Sequence, residues 1–149
     1  MLKKYRLGFD IWGLLLFLII MIPNFIWFVV PAPNDILRAN STTKTIDTVA
    51  SVCQVWIVIS LCVLVNKERA KLRITPLITA GIIAILLYFA SWIGYYTGNV
   101  HTVILLGLTV FPCMAFLLFA IDRKNRIAIV PISVFTVCHL TYSLVNFII

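Results

Sequence analysis

Residues 76–121 read PLITAGIIAILLYFASWIGYYTGNVHTVILLGLTVFPCMAFLLFAI. The stretch holds two long apolar runs and no Lys, Arg, Asp or Glu. Each run has the roughly 20 mostly apolar residues that a helix needs to cross a hydrocarbon core. Only TGNVH, residues 97–101, separates them, which leaves room for little more than a turn. The two runs are expected to form an antiparallel helical hairpin in a membrane, where a helix satisfies its own backbone polar groups. Thr75 is placed to cap the first run, with Pro76 at its first helical position.

The rest of the chain repeats this pattern. Spans are expected over residues 9–30, 47–65, 76–97, 102–121 and 127–148, in a single transmembrane domain covering 1–149. Composition agrees: 62% of residues are hydrophobic and only 11% charged, against about a quarter charged in a soluble domain. Mean hydropathy is +1.09. The expected class is an all-α integral membrane protein, with five transmembrane helices in one small bundle. The first span is read as retained. Its apolar run is long for a signal peptide, and the small-residue segment Val30-Pro31-Ala32 is crowded by prolines.

Charge orients the bundle. Lys3, Lys4 and Arg6 precede the first span. Lys67, Arg69, Lys71 and Arg73 follow the second, and Arg123, Lys124 and Arg126 follow the fourth. These ten of the twelve basic residues fall on one side, leaving Arg38 and Lys44 on the other. The positive-inside rule then puts the N-terminus in the cytoplasm and the C-terminus outside, with the plasma (cytoplasmic) membrane as the expected location. The net charge of +7 is read as this topology signal and not as a nucleic-acid footprint, so no nucleic-acid partner is expected.

Polar residues inside the spans carry the remaining information, and they are one-sided. The cytoplasmic halves read LLLFLII, LCVLV, LITAGIIAILL and AFLLFAI. The outer halves hold Asn24 and Trp27; Asp47, Ser51 and Gln54; Tyr88, Ser91, Trp92, Tyr95 and Tyr96; and His139, Thr141, Tyr142, Ser143 and Asn146. Asp47, Ser51 and Gln54 share one helical face, as do Tyr88, Ser91 and Tyr95, and also Thr136, His139, Ser143 and Asn146. Polar stripes in hydrocarbon are costly, about 4–8 kcal/mol per unpaired amide on an alkane scale, so they should face inward. Helix–helix glue would produce stripes too, but glue belongs in both leaflets. The one-sided set is read as the wall of an outer cavity. Its candidate ligand-binding residues are Asn24, Trp27, Gln54, Tyr88, Ser91, Trp92, His139, Tyr142 and Asn146. Asn24 and Gln54, at similar depth on adjacent spans, are expected to pair. His139, near the midplane, is the sharpest single candidate.

Pro23, Pro112 and Pro131 fall within spans and are expected to kink them. Gly94 and Gly98 match a small-residue packing motif, here filled with Tyr-Tyr-Thr. The first loop, residues 31–46, is the one with room to fold. Pro33, Asn34 and Asp35 are expected at the rim of the outer cavity, and the loop could present Asn34, Asp35 and Arg38 to a protein partner.

No nucleophile elbow, HExxH, phosphate-binding glycine loop or CxxC occurs. Cys53, Cys62, Cys113 and Cys138 lie in apolar runs and read as small hydrophobes. Neither histidine has the acidic or cysteine neighbours of a metal site. The expected protein is non-enzymatic, with no cofactor and no metal. Its partners are membrane lipid and a small-molecule or lipid ligand in the outer cavity. Two alternatives use the same residues: a small oligomeric transporter or channel, and an accessory or immunity-type subunit acting through a protein partner.

Overall fold

The structure is a computed structural model that describes residues 2–68 and 71–149. Arg69, one of the ten basic residues counted above, lies outside the described residues, as do Met1 and Ala70. Five helices are long and apolar enough to cross a membrane: α1 (Ile11–Val29), α2 (Lys44–Cys62), α3 (Pro76–Tyr96), α4 (Thr102–Asp122) and α5 (Arg126–Ser143). Leu144–Ile148 extends α5 in π-helical turns. At 19 residues, α1 runs about 28 Å, close to a hydrocarbon thickness.

The α3–α4 hairpin is the most intimate pair in the bundle. As expected, the Thr75 hydroxyl caps α3, accepting from Ile78 N at 3.1 Å, and Pro76 opens the helix. At the far end Gly98 has φ +89, so that Asn99 N reaches Gly94 O at 3.2 Å and Gly98 N reaches Tyr95 O at 3.0 Å. This left-handed residue ends the helix in the manner glycine allows. Gly98 thus serves the turn, while Gly94 faces α4, where a Cβ would sit 2.8 Å from Ile104 Cδ1. The closest approach is at Gly107 on α4, where a Cβ would sit 2.2 Å from Ser91 Oγ on α3.

Around the bundle, α4 packs on α5, α5 on α2 and α2 on α1, while α1 touches α3 and α4 only sparingly. Near one end α1 is drawn against α2, since a Cβ at Gly13 would lie 2.6 Å from Leu61 O. The buried centre runs from Ile57, Ala115, Ala120, Ala128 and Ile132 to Tyr95. Outward faces carry exposed Phe25, Leu86, Val103 and Val130.

The three basic segments meet at one end, and the contacts there were not legible in the sequence. Tyr5–Leu7 (β1) pairs antiparallel with Leu64–Asn66 (β2), in register Tyr5↔Asn66, Arg6↔Val65 and Leu7↔Leu64. The ladder explains why α2 stops at Cys62 and not at residue 65: the following residues are recruited as a strand. Asp10 caps α1, accepting from Trp12 N at 3.2 Å, and also meets Arg123 at 3.2 Å in an ion pair nearly closed to solvent. Asn125 caps α5 while donating to Ser60 O at 2.7 Å and Leu64 O at 3.1 Å. Asp10, Ser60, Val65, Asn66, Arg123 and Asn125 are all buried at this basic end.

Candidate functional site

At the opposite end the helices enclose a cavity of about 450 Å³ to which all five contribute, within the range of small-molecule sites, roughly 300–1,000 Å³. Its lining runs from Leu37 of the first loop, Asp47 and Tyr142 down to Phe17, Ile57 and Phe116, past the middle of their helices.

Of the nine candidate residues, Asn24, Trp27, Gln54, Tyr88, Trp92, His139 and Tyr142 line this cavity. Ser91 and Asn146 do not. The Ser91 hydroxyl donates to Leu87 O at 2.9 Å and sits in the α3–α4 seam against Gly107. Asn146 latches α5 to the first loop, accepting from Thr42 N at 2.8 Å and donating to Thr43 Oγ1 at 2.9 Å.

The expected Asn24–Gln54 pair is absent. Asn24 Nδ2 donates instead to the Tyr88 hydroxyl at 2.7 Å and to Ile20 O at 3.1 Å, bridging α1 to α3. Gln54 Nε2 meets only the Met21 sulfur, at 3.7 Å. The choice follows from position: the Tyr88 hydroxyl is buried on the facing helix within reach of Asn24, while Gln54 turns toward Met21.

Several polar groups keep unused hydrogen-bonding capacity. Among the described residues, Asn24 Oδ1, Gln54 Oε1, the Tyr142 hydroxyl and both imidazole nitrogens of His139 have no hydrogen-bond partner. They are not sealed in protein, because the one closed-off, unpartnered side-chain polar atom found is Trp92 Nε1. That indole N–H lies beside the Tyr88 hydroxyl without good hydrogen-bond geometry to it. His139 is held by ring contacts, stacked on Phe135 at 5.0 Å and parallel to Tyr142 at 6.3 Å.

The cavity is roofed by the first loop, and Asp35 is its hub. Asp35 Oδ1 accepts from Trp27 Nε1 at 2.9 Å and from the Tyr95 hydroxyl at 2.9 Å; Oδ2 accepts from Arg38 Nε at 2.8 Å and Ala32 N at 3.3 Å. Burial opposes the charge, but the donors Trp27, Tyr95, Arg38 and Ala32 outweigh it and hold the carboxyl below the usual carboxylate range. Arg38 lies over the Trp27 ring at 4.9 Å and also donates to Trp27 O and Phe28 O, the open carbonyls at the end of α1. Tyr96 covers Val30 O at 2.7 Å, and Asn34 reaches Gly98 O at 3.0 Å.

Asp47 and Ser51, which share the Gln54 face, also line the cavity, as that spacing implied. Phe17, Met21, Phe116 and Phe135 line it without any sequence signal, because an apolar residue in a span reads the same toward lipid as toward a cavity. The four cysteines are unpaired thiols, and none lines the cavity. No three His, Cys, Asp or Glu side chains gather in metal-binding geometry among the described residues. No protein-family model, curated protein or solved structure matches this chain.

Proposed function

We propose that this is a non-enzymatic, multi-pass membrane protein that holds a small molecule or the apolar portion of a lipid in its loop-end cavity. One observation carries the reading: Asn24, Gln54, His139 and Tyr142, from three helices, converge on one space with hydrogen-bonding capacity that the protein leaves unused. Unpaired polar groups in an apolar surrounding cost free energy, and a ligand or water that supplies the partners removes that cost. The aromatic and aliphatic remainder of the wall suits an apolar body.

Positive-inside placement of the basic end supports a cytoplasmic N-terminus, with the roofed cavity toward the outer side of the plasma membrane. The buried Asp10–Arg123 pair and the Asn125 contacts, which tie the helices together at the basic end, favour holding a ligand over passing it through the bundle.

Native mass spectrometry of the protein purified from its membrane tests the reading. The expected result is a small-molecule or lipid adduct that survives detergent exchange in the wild type. It should be lost in a folded Gln54→Leu/His139→Phe variant. An adduct-free wild type, or one whose adduct is kept unchanged in that variant, would overturn it.

A further inference from the structure

We infer that the guest of the loop-end cavity is an organic cation, an amine or quaternary ammonium on a ring-sized apolar body. This rests on the binding reading above and names its chemistry. Asp47 is the one Asp, Glu, Lys or Arg side chain among the residues lining the cavity. Its carboxylate accepts from Ser41 Oγ and from Thr43 Oγ1, the latter at 3.0 Å. A carboxylate has about four lone-pair sites, so two hydroxyl donors leave it able to accept more.

No ion pair to Asp47 is found among the described residues. Lys44, one turn earlier on α2, is exposed, and Arg38 is engaged by Asp35 and the α1 carbonyls. The wall therefore carries one negative charge. The same wall includes eight Phe, Tyr and Trp side chains. Trp27 and Trp92 lie 6.4 Å apart, Tyr88 and Trp92 meet edge to face at 6.4 Å, and Tyr142 carries the stacked His139 and Phe135.

Ring faces attract a cation within about 6 Å, and more strongly once water is excluded. A negative guest would be repelled by that carboxylate. A neutral one would leave that carboxylate facing an apolar body. A cation satisfies both the charge and the rings.

The test compares three probes of similar size and different charge: phenyltrimethylammonium, its neutral isostere tert-butylbenzene, and benzenesulfonate. Trp12→Phe/Trp56→Phe protein in zwitterionic nanodiscs leaves Trp27 and Trp92, both in the cavity wall, as the fluorescent reporters. Empty nanodiscs correct for partitioning. Work at pH 8 keeps an ordinary imidazole neutral. The expected result is binding of the ammonium about tenfold or more tighter than its isostere, with the sulfonate weakest. Asp47→Asn should erase most of that preference while tert-butylbenzene binding is retained.

Equal binding of ammonium and isostere by the wild type would overturn the cation inference and leave the cavity reading standing. That comparison needs no variant, so it holds even if Asp47→Asn fails to fold. A folded Asp47→Asn that keeps the full preference would overturn it too, by assigning Asp47 to the α2 N-terminus alone. No response to any probe would overturn both readings.

Discussion

The Tyr95 hydroxyl donates to Asp35 Oδ1 at 2.9 Å, joining a fully buried residue near the end of α3 to the loop that roofs the cavity. A hydrogen bond to a charged group is worth about 1.5–3 kcal/mol, and Asp35 receives several. Asp35→Asn should loosen residues 31–43 first, seen as faster trypsin cleavage after Arg38 with the helical circular dichroism unchanged. The pH dependence has a definite sign. The folded carboxyl titrates below its unfolded value of 3.8, so its stabilisation is complete above that pH. It is lost as pH falls through the folded value. The stability gap between wild type and Asp35→Asn should therefore narrow as the pH drops below 3.8.

Asp10 and Arg123 make a different kind of link, an ion pair nearly closed to solvent. Removing one member of a buried pair costs about 3–5 kcal/mol, much of it from the charge left behind. Arg123→Leu should lower the thermal unfolding temperature sharply. Adding Asp10→Asn, which keeps the cap on Trp12 N, should recover part of the loss. A double variant less stable than Arg123→Leu alone would contradict this.

The α3–α4 seam is set by contact between Ser91 and Gly107. Gly107→Ala should destabilise the hairpin by about 1–3 kcal/mol through overpacking. Ser91→Ala on that background removes the colliding Oγ and should restore part of the stability, a coupling that a double-mutant cycle reads directly.

Water access distinguishes cavity wall from lipid face on one helix. Ser51 lines the cavity, whereas Val55, one turn further along, is 59% exposed on the outer surface and does not. In a cysteine-free background, Ser51→Cys should react with a membrane-impermeant maleimide added from the loop side. Val55→Cys should react at least about tenfold more slowly, because a thiol in hydrocarbon forms little of the reactive thiolate. Equal rates would mean that the space beside Ser51 is closed to water.

The cavity wall was partly legible before any coordinates. Asn24, Gln54, His139 and Tyr142 stand out because a polar group in an apolar span needs a reason to be there. Phe17, Phe116 and Phe135 did not, since nothing in an apolar span says which side faces lipid. Ser91 and Asn146 share those polar faces and yet do not line the cavity. Helical spacing gives the face of one helix but not which neighbour packs against it, and their faces meet Gly107 and the Thr42–Thr43 segment.

Local properties of the chain sufficed for the five helices, the tight α3–α4 turn and the Thr75-Pro76 start, because run length, capping chemistry and breaks in hydropathy act within a few residues. Tertiary structure alone decided that Tyr5–Leu7 would pair with Leu64–Asn66, that Asp10 would meet Arg123, and that Asn24 would choose Tyr88 over Gln54. It also decided that Asp35 would gather Trp27, Arg38 and Tyr95 into a roof. Each of these joins residues far apart in the chain, and which donor finds which acceptor depends on how the helices rotate against one another. Hydrophobic burial does not specify that rotation; packing at Gly13 and Gly107 and the polar contacts do.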